Sequence, residues 1–343
     1  MALETAYCVN SNGGSDSNTG IYQPTGEDPF VAAKEHLSAV LALITEPLTH
    51  DVYIYLKDST TLYTGDFEVQ GISALGGDYQ LIIQPGPNSW SQEKYEAGEL
   101  DPLGGTGGFD PRACTFGVKL QLTMELLNCG VIELRGLWFY ATSSVASIVK
   151  LMKRADLTAC YCRFEGLGGG VLAMFDSQFC SENCYYTGCS MSTMALYDSN
   201  VHMAGNNYLV NPVVGGVHIG ARSQLVVRAT PDYSDHNTLY IETTLPRIEN
   251  FAAVKAAAGS TILVQDETAL PLNYGAILTG FLKVHHNLPK LRKGQVAIAL
   301  DAQSKLIGAD QVTCTKLNLK GETVPMSTGA KIVSDDTDSY VDD

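Results

Sequence analysis

A period of 22 residues, written several times between Val131 and Ala229, limits what this chain can fold into more than any other feature. Leu157, Phe179 and Val201 recur at that interval, as do Phe164, Tyr186 and Tyr208, and again Cys162, Cys184 and Asn206. Ile132, Leu137 and Phe139 extend the three columns upstream at a spacing of 25, and Leu225 extends the first downstream at a spacing of 24. A fixed period in the twenties marks a solenoid, in which no unit buries its apolar face alone and each needs its neighbours.

The composition of one unit selects among solenoids. Phe175-Asp176-Ser177-Gln178-Phe179 and Tyr197-Asp198-Ser199-Asn200-Val201 place apolar residues on either side of a polar, turn-forming centre, and Ala221-Arg222-Ser223-Gln224-Leu225 repeats the scheme with Arg for Asp. Short alternating runs such as Val217-His218-Ile219 lie between them. No unit holds ten residues at helical apolar spacing, and the asparagine motif of leucine-rich repeats is absent. What remains is a β-solenoid whose rungs stack as parallel sheets ~4.8 Å apart.

The N-terminal segment reads differently. Tyr7 to Asn10 is a short strand, and Ser11 to Gly20 a polar loop. Asp28 and Pro29 suit a helix start, and Phe30, Ala33, Leu37, Val40, Leu41 and Ile44 make one apolar face before Pro47. Val52 to Leu56 resumes a strand. This strand, Gly-Ser-Asp-Ser-Asn-rich loop, helix and strand, with Pro29-Phe30 at the helix start, resembles the entry of right-handed parallel β-helix proteins of the pectate-lyase-like type, as found in viral tailspikes and tail fibres. The resemblance implies an all-β, right-handed parallel β-helix with an N-terminal capping helix, which keeps the first rung's edge from pairing with another chain. A C-terminal β-rich region is expected to follow the coil. The expected divisions are 1–57 for the cap, 58–250 for the coil, 251–333 for a C-terminal cap or association region, and 334–343 for an acidic tail.

Charge and cysteine content narrow the function. The net charge of −15 argues against nucleic acid, which needs a concentrated basic footprint. Met1 to Thr5 show no basic region leading into an apolar run, so no signal peptide is read, and no apolar run reaches the ~20 residues of a membrane helix. The nine cysteines, five of them between Cys160 and Cys189, are then expected as thiols in a chain that folds in a cytoplasm. Gly104-Gly105-Thr106-Gly107-Gly108, inside a lateral loop over residues 88–111, lacks the Lys-Ser/Thr of a phosphate loop.

Four groups carry candidate chemistry. Asp176 and Asp198 share a column, which places their Cα atoms about 5 Å apart. Such a pair can share a proton, bind a cation or act as a retaining glycosidase pair, with Glu182 as the nearest further acid. The plainer reading is a corner, where Asp bonds nearby amides. Cys160, Cys162, Cys180, Cys184 and Cys189 do not have zinc-knuckle spacing, and stacked core thiols or a disulfide between rungs are the alternatives, so no metal or other cofactor is expected. His285, His286, Lys283, Lys290, Arg292 and Lys293 form the one positive cluster, a solvated loop or an acid-binding patch. Phe164, Tyr186 and Tyr208 form an aromatic ladder, which is core if it points in and a sugar platform if it points out. Arg154, Arg163 and Arg222 are the available basic residues, candidates for ligand binding or for the base a lyase needs at the sugar α-carbon, and none sits in a recognisable motif.

The resemblance implies a structural and receptor-binding part of a phage or phage-like tail, located on the virion. It would be a homotrimer that binds other tail proteins or a cell-surface polysaccharide and does not insert in a membrane. A polysaccharide lyase or glycoside hydrolase on the same coil is the alternative, with Asp176, Asp198 and Glu182 as its catalytic candidates.

Overall fold

In the computed structural model the chain is a parallel β-helix built from three long sheets. Residues 5–87 and 118–226 are described, apart from short breaks at 26, 45–46, 59–60, 66, 76–78, 131, 143–146, 205–206 and 211–214; beyond 226 the strands are described by their backbone alone. The whole loop 88–111, with its glycine-rich stretch 104–108, and Lys290, Arg292 and Lys293 lie outside the described residues.

Each rung passes through the three sheets in turn. Asp156–Cys160 belongs to the first sheet, Arg163–Gly166 to the second and Val171–Met174 to the third, and the next rung repeats this with Gln178–Glu182, Tyr185–Thr187 and Met191–Leu196. Pairing is parallel and in register with the period: Ile132, Leu157, Phe179, Val201 and Leu225 stand above one another. Inside a strand, alternate residues point in, because successive side chains leave a strand on opposite faces. Leu157 and Ala159 are buried while Asp156 is exposed, and Phe179 and Ser181 are buried while Gln178 is exposed.

The aromatic ladder points in. Phe139, Phe164 and Tyr186 are fully buried and stack at 5.2 and 4.9 Å with planes 8° and 10° apart. Burying each ring contributes about 1.5–3 kcal/mol. The ladder does not continue to Tyr208. The rung from Val201 absorbs one extra residue before its second strand, so Leu209 stands above Tyr186 and Tyr208 above Tyr185 on the outer face. The same shift puts Asn207, not Asn206, above Cys184.

The capping helix is shorter than its sequence pattern. Only Leu37–Leu41 is helical. Asp28 does cap, accepting from the Phe30 N–H at 2.9 Å, but it closes a turn rather than a helix. The competing demand comes from the first strand, Thr5–Val9. Lys34 N–H donates to Cys8 O (3.1 Å) and Asn10 N–H to Lys34 O (2.8 Å), so this backbone serves the sheet edge instead of a helix. Lys34 Nζ then donates to the carbonyls of Asp16 and Asn18, both at 2.7 Å, and ties the polar loop down. Gly14 sits there because a Cβ would strike the Lys34 carbonyl.

Parallel pairing runs past residue 250. Thr261–Gln265 and Lys305–Ile307 extend the first sheet, Thr238–Thr243 and Phe281–His286 the second, and Ala252–Ala256 and Val296–Leu300 the third. The third sheet ends on an antiparallel pair, Lys316–Leu319 with Glu322–Pro325. Within the acidic C-terminal stretch, Lys331–Ser334 and Ser339–Asp342 pair as a hairpin. Among the described residues no helix is long and apolar enough to cross a membrane.

Candidate functional site

The corner between the third and first sheets gathers four of the six residues expected at a site. Lys153-Arg154, Phe175-Asp176, Tyr197-Asp198 and Ala221-Arg222 occupy it on four successive rungs, all with φ between 49° and 66°. Left-handed backbone costs an ordinary residue about 1–2 kcal/mol, and two ladders of hydrogen bonds offset it. Outside, the N–H of Arg154 donates to Phe175 O (3.0 Å), that of Asp176 to Tyr197 O (3.1 Å) and that of Asp198 to Ala221 O (2.9 Å). Inside, Ala155 N–H donates to Ser177 Oγ, Ser177 N–H to Ser199 Oγ and Ser199 N–H to Ser223 Oγ, at 3.1–3.2 Å. The Ser in each Asp-Ser or Arg-Ser is therefore a buried clasp for the rung before it.

The two aspartates do not converge on a shared proton or ion. Asp176 takes Arg154 Nε at 3.2 Å, and Asp198 takes Arg222 in a two-pronged pair at 2.8 and 2.6 Å. The pair to Asp198 raises the Arg222 pKa. With side chains 49–79% exposed, these bridges hold little stability, since water screens them. The column thus reads Arg-Asp-Asp-Arg, each acid turned to its own cation. Beside it Phe175 and Tyr197 stack at 5.0 Å and are 46% and 48% exposed.

Glu182 and Arg163 lie elsewhere. Arg163 is on the outer face of the second sheet, where its guanidinium packs 4.4 Å from the Trp138 ring and 5.2 Å from the Tyr185 ring and pairs with Glu165 at 2.7 Å. Lys119 caps the same column, 3.9 Å from the rings of Trp138 and Tyr140. Cations and aromatic rings attract through the ring quadrupole, so this stack is structural. Glu182 is on the outer face of the first sheet, opposite Cys160 and Ala204 in register.

That outer face carries a groove of about 470 Å³ lined by Asp156, Gln178, Cys180, Glu182 and His202 among others. Burial, with Asp176 nearby, pushes the Asp156 carboxyl up. Burial also pushes the Cys160 thiol well up, reinforced by Glu182 and Glu133. The motifs read from the sequence do not include Asp156. The signal was present: Asp156, Gln178, Asn200 and Gln224 form a polar column one residue before the Leu157 column.

Cys162, Cys184 and Cys189 are core fittings, whereas Cys160 and Cys180 lie on the outer face of the first sheet. Cys184 Sγ accepts from Cys162 N–H (3.4 Å) and donates to Ala159 O (3.2 Å). One rung on, Asn207 does the work of the thiol: its Oδ1 accepts from Cys184 N–H (3.1 Å) and the Ser181 hydroxyl (2.7 Å), and its Nδ2 donates to Ser181 O and Ala204 O. Ser181 has one proton and spends it on Asn207, so Tyr186 Oη donates to Ser181 Oγ at 2.8 Å. None of the seven described cysteines is in a disulfide. Burial pushes Cys8 up to about 11 and Cys189 up to about 12, so neither is a nucleophile at neutral pH. Among the described residues no group of three His, Cys, Asp or Glu side chains is arranged to hold a metal ion.

No family model, no curated protein and no solved structure matches this chain.

Proposed function

We propose that the chain is a structural and receptor-binding component of a phage or phage-like tail, a tailspike or tail fibre that binds a cell-surface glycan or another virion protein. The observation that carries this reading is the Arg-Asp-Asp-Arg corner. The acids that an enzyme of this fold would most simply use are each engaged by an arginine on an exposed ridge, and Glu182 lies at the far end of the first-sheet strand that follows the corner. A long, regular coil whose ridge is stabilised rung by rung suits a shaft. Incubation with a panel of bacterial surface polysaccharides tests it: retention of polysaccharide without new chain ends supports the reading, and cleavage overturns it in favour of a lyase or hydrolase. The groove holding Asp156, whose carboxyl is biased toward its protonated form, is where such an enzyme would work, and Asp156→Asn would then abolish cleavage.

Homotrimeric assembly belongs to the same proposal. On the outer face of the third sheet Leu127, Met152, Met174 and Leu196 form one column, beside Leu172 and Met194 in the next. Phe175 and Tyr197 carry this apolar strip round the corner. The chain has a net charge of −15, yet the carboxylates of Asp176 and Asp198 beside the strip are neutralised in place. A second copy meets little repulsion there and shares the ~4.8 Å repeat of the columns. Sedimentation at micromolar concentration is expected to give a trimer that Met174→Glu with Leu196→Glu dissociates; a monomeric parent chain overturns the assembly.

A further inference from the structure

The N-terminal end of the coil carries a second concave site, built from residues that neither the corner nor the groove uses. A cavity of about 640 Å³ lies against the outer side of the first rungs, lined by Tyr7, Tyr22, Tyr55, Ile21, Pro24 and Pro87, with Thr5 and Ala6. Val52–Leu56 presents Tyr55 outward, while Tyr7, in register with the buried Ile54, packs against the core, and Ile21 pairs with Tyr7 along the edge of Thr5–Val9.

The aromatic residues are braced. Tyr22 packs on Tyr55 at 4.7 Å and edge-on against Phe30 at 5.5 Å, while Tyr53 stacks on Tyr55 at 5.8 Å. Lys57 lies 5.6 Å from the Phe30 ring and pairs with Asp28 at 3.0 Å, which fixes the rear of the cluster. Rings held this way lose little freedom when a ligand arrives. The size falls in the range of small-ligand sites, about 300–1,000 Å³.

The lining decides what kind of ligand fits. Among the described residues that line it there is no Asp, Glu, Lys or Arg, although the chain as a whole carries 37 acids and 22 bases. An uncharged lining selects an uncharged ligand, because a bare charge would lose its hydration with nothing to replace it. The lining offers ring and proline C–H surface together with phenol hydroxyls and the Thr5 hydroxyl, which is already hydrogen-bonded to His50 Nε2 at 2.7 Å. A pyranose has the matching make-up, a C–H face for the rings and equatorial hydroxyls for the phenols. An added β-strand fits poorly, because the outer edge of Thr5–Val9 is already occupied by Ile21 and Lys34 of the same chain.

We infer that this pocket binds a neutral hexose unit of a glycan, which rests on the receptor-binding reading above and gives it a location and a ligand class. Calorimetric titration of the full chain with maltohexaose, cellohexaose and mannohexaose, a decaproline peptide and an anionic polysaccharide tests it. At least one neutral hexamer is expected to bind. Tyr55→Ala should weaken it about tenfold, the loss of one stacked ring. Tyr22→Phe, which keeps the packing and removes one hydroxyl, should weaken it a few-fold, while Tyr197→Ala at the distant corner changes nothing. Three results overturn the site and leave the receptor-binding reading standing: binding of a neutral hexamer that only Tyr197→Ala weakens, binding of the anionic polysaccharide alone, or decaproline binding that Tyr55→Ala abolishes while a glycan binds elsewhere. If no glycan of any kind binds, the glycan-receptor reading falls with the site.

Discussion

Two corners of the same coil solve the same problem in opposite surroundings. Where the third sheet turns into the first, the corner faces water: two left-handed residues per rung stand out, with Arg and Asp outside and a serine clasp beneath. Where the first sheet turns into the second, the corner folds inward: Gly136, Tyr161 and Asn183 are left-handed on three successive rungs, and the last two precede buried thiols, Cys162 and Cys184, that bond the neighbouring rung. Both close each rung by handing a hydrogen bond to the next. They differ in what loses when a partner is removed. At the wet corner, water replaces a lost ion pair; at the dry corner, nothing replaces a lost donor or acceptor.

The sharpest way to break this comparison is Asn207→Ala. It strips partners from the Cys184 N–H, the Ser181 hydroxyl and two carbonyls in a dry interior, and should cost about 3 kcal/mol in urea unfolding. An effect no larger than that of Asp198→Asn would end the distinction. Next comes Ser199→Ala, which leaves the Ser177 N–H without an acceptor beneath the wet corner; a loss of about 2 kcal/mol is expected, because the clasp is buried even though the ridge above it is not.

Much of this was legible in the sequence, and the exceptions are instructive. The period predicted the stacking of Leu157 on Phe179 and of Asp176 on Asp198, because in a parallel stack sequence spacing is spatial spacing. It failed at Tyr208, since a count cannot say where a rung absorbs an added residue. The helix from Pro29 failed because an apolar pattern at 3.6 spacing does not reveal that a strand edge will claim the same backbone. The spacing places Asp176 over Asp198, but by itself it does not pair them with arginines. Arg154 and Arg222 are 22 and 24 residues from the acids they hold, the same period applied once more.

Asp156 sharpens the comparison further, since it sits at the edge between ridge and groove. Its folded-state carboxyl is raised by burial and by Asp176, so protonation favours the fold. That contribution is fully present below the ordinary aspartate value of 3.8 and is lost as pH rises through the folded value. Asp156→Asn should therefore stabilise the chain at pH 7 and give no gain at pH 3, read from paired urea curves. Smallest of all is Arg154→Ala. With its side chain 79% exposed, the change should leave the unfolding midpoint within experimental scatter, even though it deletes a visible salt bridge.

The serine clasp has a further consequence. Because Ser177 and Ser199 are chemically identical, and Gln178 and Asn200 begin equivalent strands, excising residues 178–199 rejoins the chain with every column still in register. The rung is then a unit of exchange, like a link in a chain. A lineage could lengthen or shorten such a coil by duplicating or losing single links, while the N-terminal pocket stayed as it was. Length and pocket would be inherited separately, and crossover between rungs would be the natural route by which this molecule changes its length.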